Sequence, residues 1–80
     1  MAKKINFTTV EEVKRASNAL KDFHIEHVLV EYPNKQYIVV LNRLKNDALT
    51  AFEAAGLSPR RVNNQRHYER IASTHKHYTK

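Results

Sequence analysis

Eighty residues with a formal net charge of +6, 41% hydrophobic residues and no cysteine describe one small globular domain, too short for a deep cleft between domains. The missing cysteine excludes disulfides and thiolate metal sites. No apolar run reaches the ~18 residues of a membrane span, and Met1-Ala2-Lys3-Lys4 lacks the apolar core of a signal peptide, so no membrane role and a cytoplasmic product of a cell, phage or mobile element are expected.

Residues 3–7 alternate, Ile5 and Phe7 against Lys4 and Asn6, and make a short strand candidate. Thr8-x-x-Glu11 and Thr9-x-x-Glu12 both have capping-box spacing, and the acidic pair suits the positive end of a helix. Val10, Val13, Ala16 or Ser17, and Leu20 then recur at helical spacing, with Lys14, Arg15, Asn18 and Lys21 off that stripe and Phe23 expected to close it.

Residues 25–32 and 37–41 are rich in β-branched and aromatic side chains, and Pro33-Asn34-Lys35-Gln36 between them carries turn chemistry, so a β-hairpin is predicted. A four-residue loop pairs Tyr32 with Tyr37; a two-residue loop at Pro33-Asn34 shifts every pairing by two and leaves each side chain on its face. One face carries Val28, Val30, Tyr32, Tyr37, Val39 and Leu41 and is expected to meet the helices. The other carries Ile25, His27, Leu29, Glu31, Gln36, Ile38 and Val40 and is expected to stay free. Ile25, Leu29, Ile38 and Val40 would then form an exposed patch for a protein partner, such as a larger enzyme that the chain regulates or inhibits, or for a homodimer. The alternative is that the C-terminal segment covers them.

Asn42 is a natural N-cap for a second helix over 43–55, whose Leu44, Ala48, Phe52 and Ala55 share a face. Gly56, the only glycine, suits the left-handed position that ends a helix, Leu57 folds back towards Phe52, and Pro59 prevents resumption. Beyond Pro59 the period is lost: Val62, Tyr68 and Ile71 stand among polar residues, as in an edge strand around 67–72 or a short helix. Residues 72–80 lack a packing signal and read as a flexible basic tail behind a single domain of 1–71. The strand and helix candidates give the order β-α-β-β-α-β of a small two-layer, ferredoxin-like α+β sandwich with both helices on one face; an α-β-β-α unit is the fallback.

Charge is unevenly placed. Residues 59–80 hold six basic residues and one acidic, a net of +5, against eight basic and seven acidic, a net of +1, in the other 58. Arg60, Arg61, Arg66 and Arg70 interleave with His67 and Tyr68, and Lys76, Tyr78 and Lys80 follow. Guanidinium forks suit phosphate oxygens, aromatic rings stack on unpaired bases, and Asn63, Asn64 and Gln65 add hydrogen-bonding groups. The composition points to nucleic acid, DNA or RNA, as the partner, with an acidic protein as the alternative. On the competing view Tyr68 and Ile71 are core residues and the arginines a solvated face.

Chemistry finds less support. A single glycine excludes a Gly-rich phosphate cradle, and neither His-Glu-x-x-His nor Gly-x-Ser-x-Gly occurs. Arg66-His67-Tyr68-Glu69-Arg70 contains the base, acid and cations of a metal-independent ribonuclease, yet neighbours in a strand face opposite ways. His24-x-x-His27 and His75-x-His77 lack the further ligands zinc requires and read as solvated histidines. A non-enzymatic binding protein without metal or cofactor is expected.

Overall fold

The computed structural model describes residues 1–74 and 76–78. The chain runs β1 (Ala2–Asn6), α1 (Val10–Asp22), β2 (His27–Tyr32), β3 (Lys35–Leu41), a 3-10 turn (Asn42–Leu44), α2 (Lys45–Ala54), β4 (Arg61–Gln65), α3 (Tyr68–Thr74) and β5 (Lys76–Tyr78). The strands form one sheet in the order β4-β1-β3-β2-β5, every neighbouring pair antiparallel, which makes the chain a small α+β domain.

Of the two candidate capping boxes the second is used. Thr9 Oγ1 accepts the Glu12 N–H at 3.2 Å, and the Glu12 carboxylate accepts the Thr9 N–H at 3.1 Å, an arrangement contributing about 1 kcal/mol to helix stability. Val13, Ala16, Ser17, Ala19 and Leu20 form the buried stripe. Val10 and Phe23 fall outside it, at 46% and 50% exposure. Ile25 closes the stripe instead of Phe23, because the chain leaves α1 through a Schellman turn. His24 adopts φ 57°, its N–H reaches the Lys21 carbonyl at 3.0 Å, and the Ile25 N–H reaches that of Leu20 at 2.8 Å.

The hairpin turns on Pro33-Asn34 alone, with Tyr32 opposite Lys35, Val30 opposite Tyr37 and Val28 opposite Val39. Its two faces enter two separate cores. Ile5, Leu29, Ile38 and Val40 pack with Val13, Ala16 and Leu20 of α1 and Ala48, Ala51 and Phe52 of α2. Phe7 meets Phe52 edge-on there, ring centroids 5.2 Å apart. On the opposite face Ala2, Val28, Val30, Tyr37 and Val39 pack with Tyr68, Ile71 and Ala72 of α3.

This corrects the expected free face. Ile25, Leu29, Ile38 and Val40 are buried beneath α1 and α2, so they offer no protein interface, and the face expected to meet those helices meets α3. The physical reason is two-sided cover: Val28-Leu29-Val30 and Ile38-Val39-Val40 are unbroken apolar triplets, the pattern of strands buried on both faces rather than one. His27 is likewise buried, not solvated. Its Nδ1 lies 2.9 Å from the Ile25 carbonyl and its Nε2 2.8 Å from Ser17 Oγ. A carbonyl only accepts, so Nδ1 carries the proton and Nε2 accepts from the serine hydroxyl.

Asn42 does not cap α2. It opens the 3-10 turn, its N–H bound to the Met1 carbonyl at 3.1 Å, and α2 begins at Lys45 without a side-chain cap. The far end follows expectation: Gly56 sits at φ 73°, and the N–H groups of Gly56 and Leu57 reach the carbonyls of Glu53 and Phe52 at 3.0 and 2.8 Å.

Two expectations for the C-terminal region are displaced. Of the two readings for residues 67–72 the short helix is the one present, beginning at Tyr68, and the edge strand lies earlier, at Arg61–Gln65. Nearly all of β4 is exposed, so it carries no hydrophobic alternation, whereas Tyr68, Ile71 and Ala72 have the i, i+3, i+4 spacing of a helix face. α3 runs across the expected domain boundary at residue 71, and Lys76–Tyr78, expected as flexible tail, pair with β2. Of the remaining tail, His75, Thr79 and Lys80 lie outside the described residues.

Candidate functional site

β4 is one edge of the sheet and lies beside β1, with Asn63 opposite Lys4, Arg61 opposite Asn6 and Asn64 opposite Lys3. Strand alternation places Lys4, Asn6, Arg61 and Asn63 on the face that α3 shares. α3 packs chiefly on β2, β3 and β5, leaving the β1–β4 part of that face open. There Lys4, Asn6, Arg60, Arg61 and Asn63, with Phe7 at the margin, line a polar depression of about 260 Å³.

The positions of these groups have local causes. The Arg60 N–H donates to the Asn6 carbonyl at 2.7 Å, which ties the loop before β4 to the end of β1. Lys4 Nζ sits 4.5 Å from the centroid of the Tyr37 ring, a cation–π contact that steadies the ammonium over the sheet. Burial first, then the adjacent Tyr32, raises the Tyr37 hydroxyl above its ordinary pKa, so the ring under Lys4 stays neutral. At the sheet edge Lys3 Nζ donates to Asn64 Oδ1 at 2.6 Å.

A second depression, of about 250 Å³, adjoins the first and shares Asn6, Phe7 and Arg60 with it. Thr8 and Thr9 from the β1–α1 connection, Val10 at the start of α1, and Asn34, Lys35 and Gln36 from the hairpin complete its walls. Lys35 Nζ lies 5.6 Å from the Tyr32 ring centroid. Together the depressions form one groove with Lys4 and Arg61 at one end, Arg60 in the middle and Lys35 at the other. Residues 1–9 and 57–68, which supply most of its wall, contain Lys3, Lys4, Arg60, Arg61 and Arg66 and no carboxylate. The exposed acids Glu11, Asp22, Asp47 and Glu53 stand on α1 and α2, and Glu69 stands exposed on α3.

The residues expected to bind nucleic acid are therefore divided. Arg60 and Arg61 enter the groove. Arg66 and His67 are exposed at the opposite end of β4, about 17 Å from Arg61 at the rise of an extended strand. Arg70 is exposed on α3, its carbonyl accepting from Ser73 Oγ at 2.8 Å. Tyr68 is not available for stacking: it is buried against the sheet, and that burial pushes its hydroxyl up to about 12. With Tyr68 in the core, the Arg66 to Arg70 pentapeptide does not present its side chains together. Lys76 and Tyr78 stand on β5, at the far edge of the sheet from β4, and their side chains lie outside what is described.

Lys4, Asn6, Lys35 and Gln36 were not expected in the site. The alternation of Lys4 and Asn6 against Ile5 and Phe7 was visible, but only the pairing of β1 with β4 brings them to Arg61. Among the described residues no three histidine or carboxylate groups are placed to hold a metal ion, and no helix is long and apolar enough to cross a membrane. No protein family, characterised protein or solved structure matches the chain.

Proposed function

We propose that the chain binds nucleic acid along the groove beside β1 and β4, with Lys4, Arg60 and Arg61 neutralising phosphates and Asn6 and Asn63 hydrogen-bonding to sugar or base. The observation that carries this reading is the convergence of those three cations on one polar depression, in segments without a carboxylate. Guanidinium groups match phosphate oxygens two by two, and an ammonium adds a point charge. The scaffold is read as a ferredoxin-like sandwich, β1 to β4, extended by α3 and β5. Its sheet edge serves as the binding surface and its remaining edge and faces as support.

Fluorescence anisotropy with short labelled DNA and RNA tests the proposal. Three phosphate contacts predict a slope of log affinity on log salt of about −2 for a single strand and nearer −3 for a duplex. The Lys4/Arg60/Arg61→Ala variant removes binding, and Arg66/Arg70→Ala retains most of it. A folded protein that binds nothing at low salt, or a triple variant that binds like the parent, refutes the assignment.

A further inference from the structure

We infer that the depression between β1 and β4 seats the terminal phosphate of a nucleic-acid strand, a phosphomonoester, in preference to the internal diesters; this rests on the nucleic-acid reading above. The layout of the polar side chains carries it. Strand alternation, with Lys4 opposite Asn63 and Asn6 opposite Arg61, puts four of them at the corners of one patch on a single face. Lys4 and Arg61 hold one diagonal, about 7 Å apart where the side chains leave the backbone, and Asn6 and Asn63 hold the other. Arg60, next to Arg61, opens onto the same depression.

Charge and oxygen count favour a strand end. An internal diester brings a single charge and two free oxygens, so three cations around one depression of about 260 Å³ exceed what it offers. A monoester carries roughly −1.5 to −2 at neutral pH and three acceptor oxygens. Together with the first diester behind it, that end matches the charges of Lys4, Arg60 and Arg61. A guanidinium fork takes two of the oxygens, and an ammonium or amide N–H takes the third. The donors are held in advance: the Lys4 ammonium sits 4.5 Å from the Tyr37 ring centroid, and the Arg60 N–H is bound to the Asn6 carbonyl at 2.7 Å.

Beyond Arg60 the groove does not continue this field. The Glu12 carboxylate stands behind the Thr9 wall, accepting from the Thr9 N–H and hydroxyl at 3.1 Å each. Lys35 is the one further cation among the described residues that line that part. Diesters laid along the whole groove would pass from three cations to a lysine offset by a carboxylate. A strand end placed between Lys4 and Arg61 meets cations, amides and the margin of Phe7. Glu69 belongs to α3, which packs chiefly on β2, β3 and β5.

The test uses the full-length protein and one internally labelled single strand of about twelve nucleotides, within the site sizes of small single-strand binders. The strand is prepared with a 5′-phosphate, with a 3′-phosphate, with hydroxyls at both ends, and closed into a circle. At equal salt, at least one phosphorylated form is expected to bind roughly tenfold more tightly than the hydroxyl-ended strand, which binds like the circle. The form that gains identifies the end that enters. Arg61→Ala, and Asn63→Asp, which sets a carboxylate opposite Lys4, each remove the gain. Both positions are exposed, and thermal melts confirm that the variants fold. Arg66/Arg70→Ala, outside the depression, keeps the gain and controls for charge lost elsewhere. Equal affinity for all four forms, a circle bound as tightly as a phosphate-ended strand, or a gain that survives either site substitution overturns the end site while leaving binding through diesters intact. Absence of binding to every form removes the nucleic-acid reading and this inference with it.

Discussion

The buried pair of Ser17 and His27 makes a sharp test of how this core is held. Ser17→Ala deletes the hydroxyl that lies 2.8 Å from Nε2 and leaves a ring nitrogen without that donor in a site of 0% exposure. An unsatisfied buried acceptor costs about 1–3 kcal/mol. His27→Leu fills similar space and strands the serine hydroxyl instead, at about 1–2 kcal/mol, and it also forfeits the bond from Nδ1–H to the Ile25 carbonyl. Replacing both removes donor and acceptor together, so the double variant, which shares the lost Ile25 bond with His27→Leu, is expected to be no worse than His27→Leu alone. The coupling energy is then about 1–3 kcal/mol. Urea unfolding of the four proteins reads it directly, and in a melt each 1 kcal/mol amounts to roughly 4–8 °C at this chain length. Additive losses in the double variant would show that the two groups do not satisfy one another.

Two further perturbations follow from backbone and side-chain environments. His24 holds φ 57° without being glycine; His24→Gly relieves a left-handed cost of about 1–2 kcal/mol against an entropic loss of about half that, for a net gain of up to about 1 kcal/mol in urea unfolding. A destabilised His24→Gly protein would mean that the imidazole makes contacts worth more than the strain. The Tyr68 hydroxyl, pushed up from 10.0 to about 12 mainly by burial, favours the folded state while neutral. That contribution is whole below pH 10 and is lost as pH rises through about 12. Tyr68→Phe should therefore flatten the alkaline fall in urea midpoint over that window, and an unchanged fall would place the titrating group elsewhere.

Elements with strong local chemistry were readable in advance: the Thr9–Glu12 box, the turn proline and the lone Gly56 each act within a few residues of themselves. The face of the hairpin was not, because both of its sides are apolar and alternation cannot choose between two equally good cores. β4 escaped notice for the opposite reason. Its side chains are almost all exposed, and what makes it a strand is backbone pairing with β1, a contact between the two ends of the chain. The groove inherits that difficulty. Arg60 and Arg61 were conspicuous, but Lys4 and Asn6 join them only through the register Asn6 opposite Arg61 and Lys4 opposite Asn63. Tyr68 looked like a stacking ring because its neighbours are basic, and its spacing to Ile71 and Ala72 was the stronger signal.

Division of the sheet explains why the proposed binding surface falls at this edge. β2 and β3 are covered on both faces, which leaves them no surface to offer except the hairpin tip. β5 borders them on one side, so the free backbone edge at the other end of the sheet is β4. An open edge invites pairing with other chains unless charged or polar side chains discourage it. Arg61, Asn63, Asn64 and Gln65 supply that polarity, and Lys3 and Lys4 continue it on the next strand. The residues that keep the edge from recruiting another strand thus include Lys4 and Arg61, which are proposed to contact phosphate. Substituting them with β-branched apolar residues should give a protein that self-associates as well as one that no longer binds. Analytical ultracentrifugation of an Arg61/Asn63→Val variant checks this, and a variant that stays monomeric at high concentration would show that the edge is guarded by something other than its polarity.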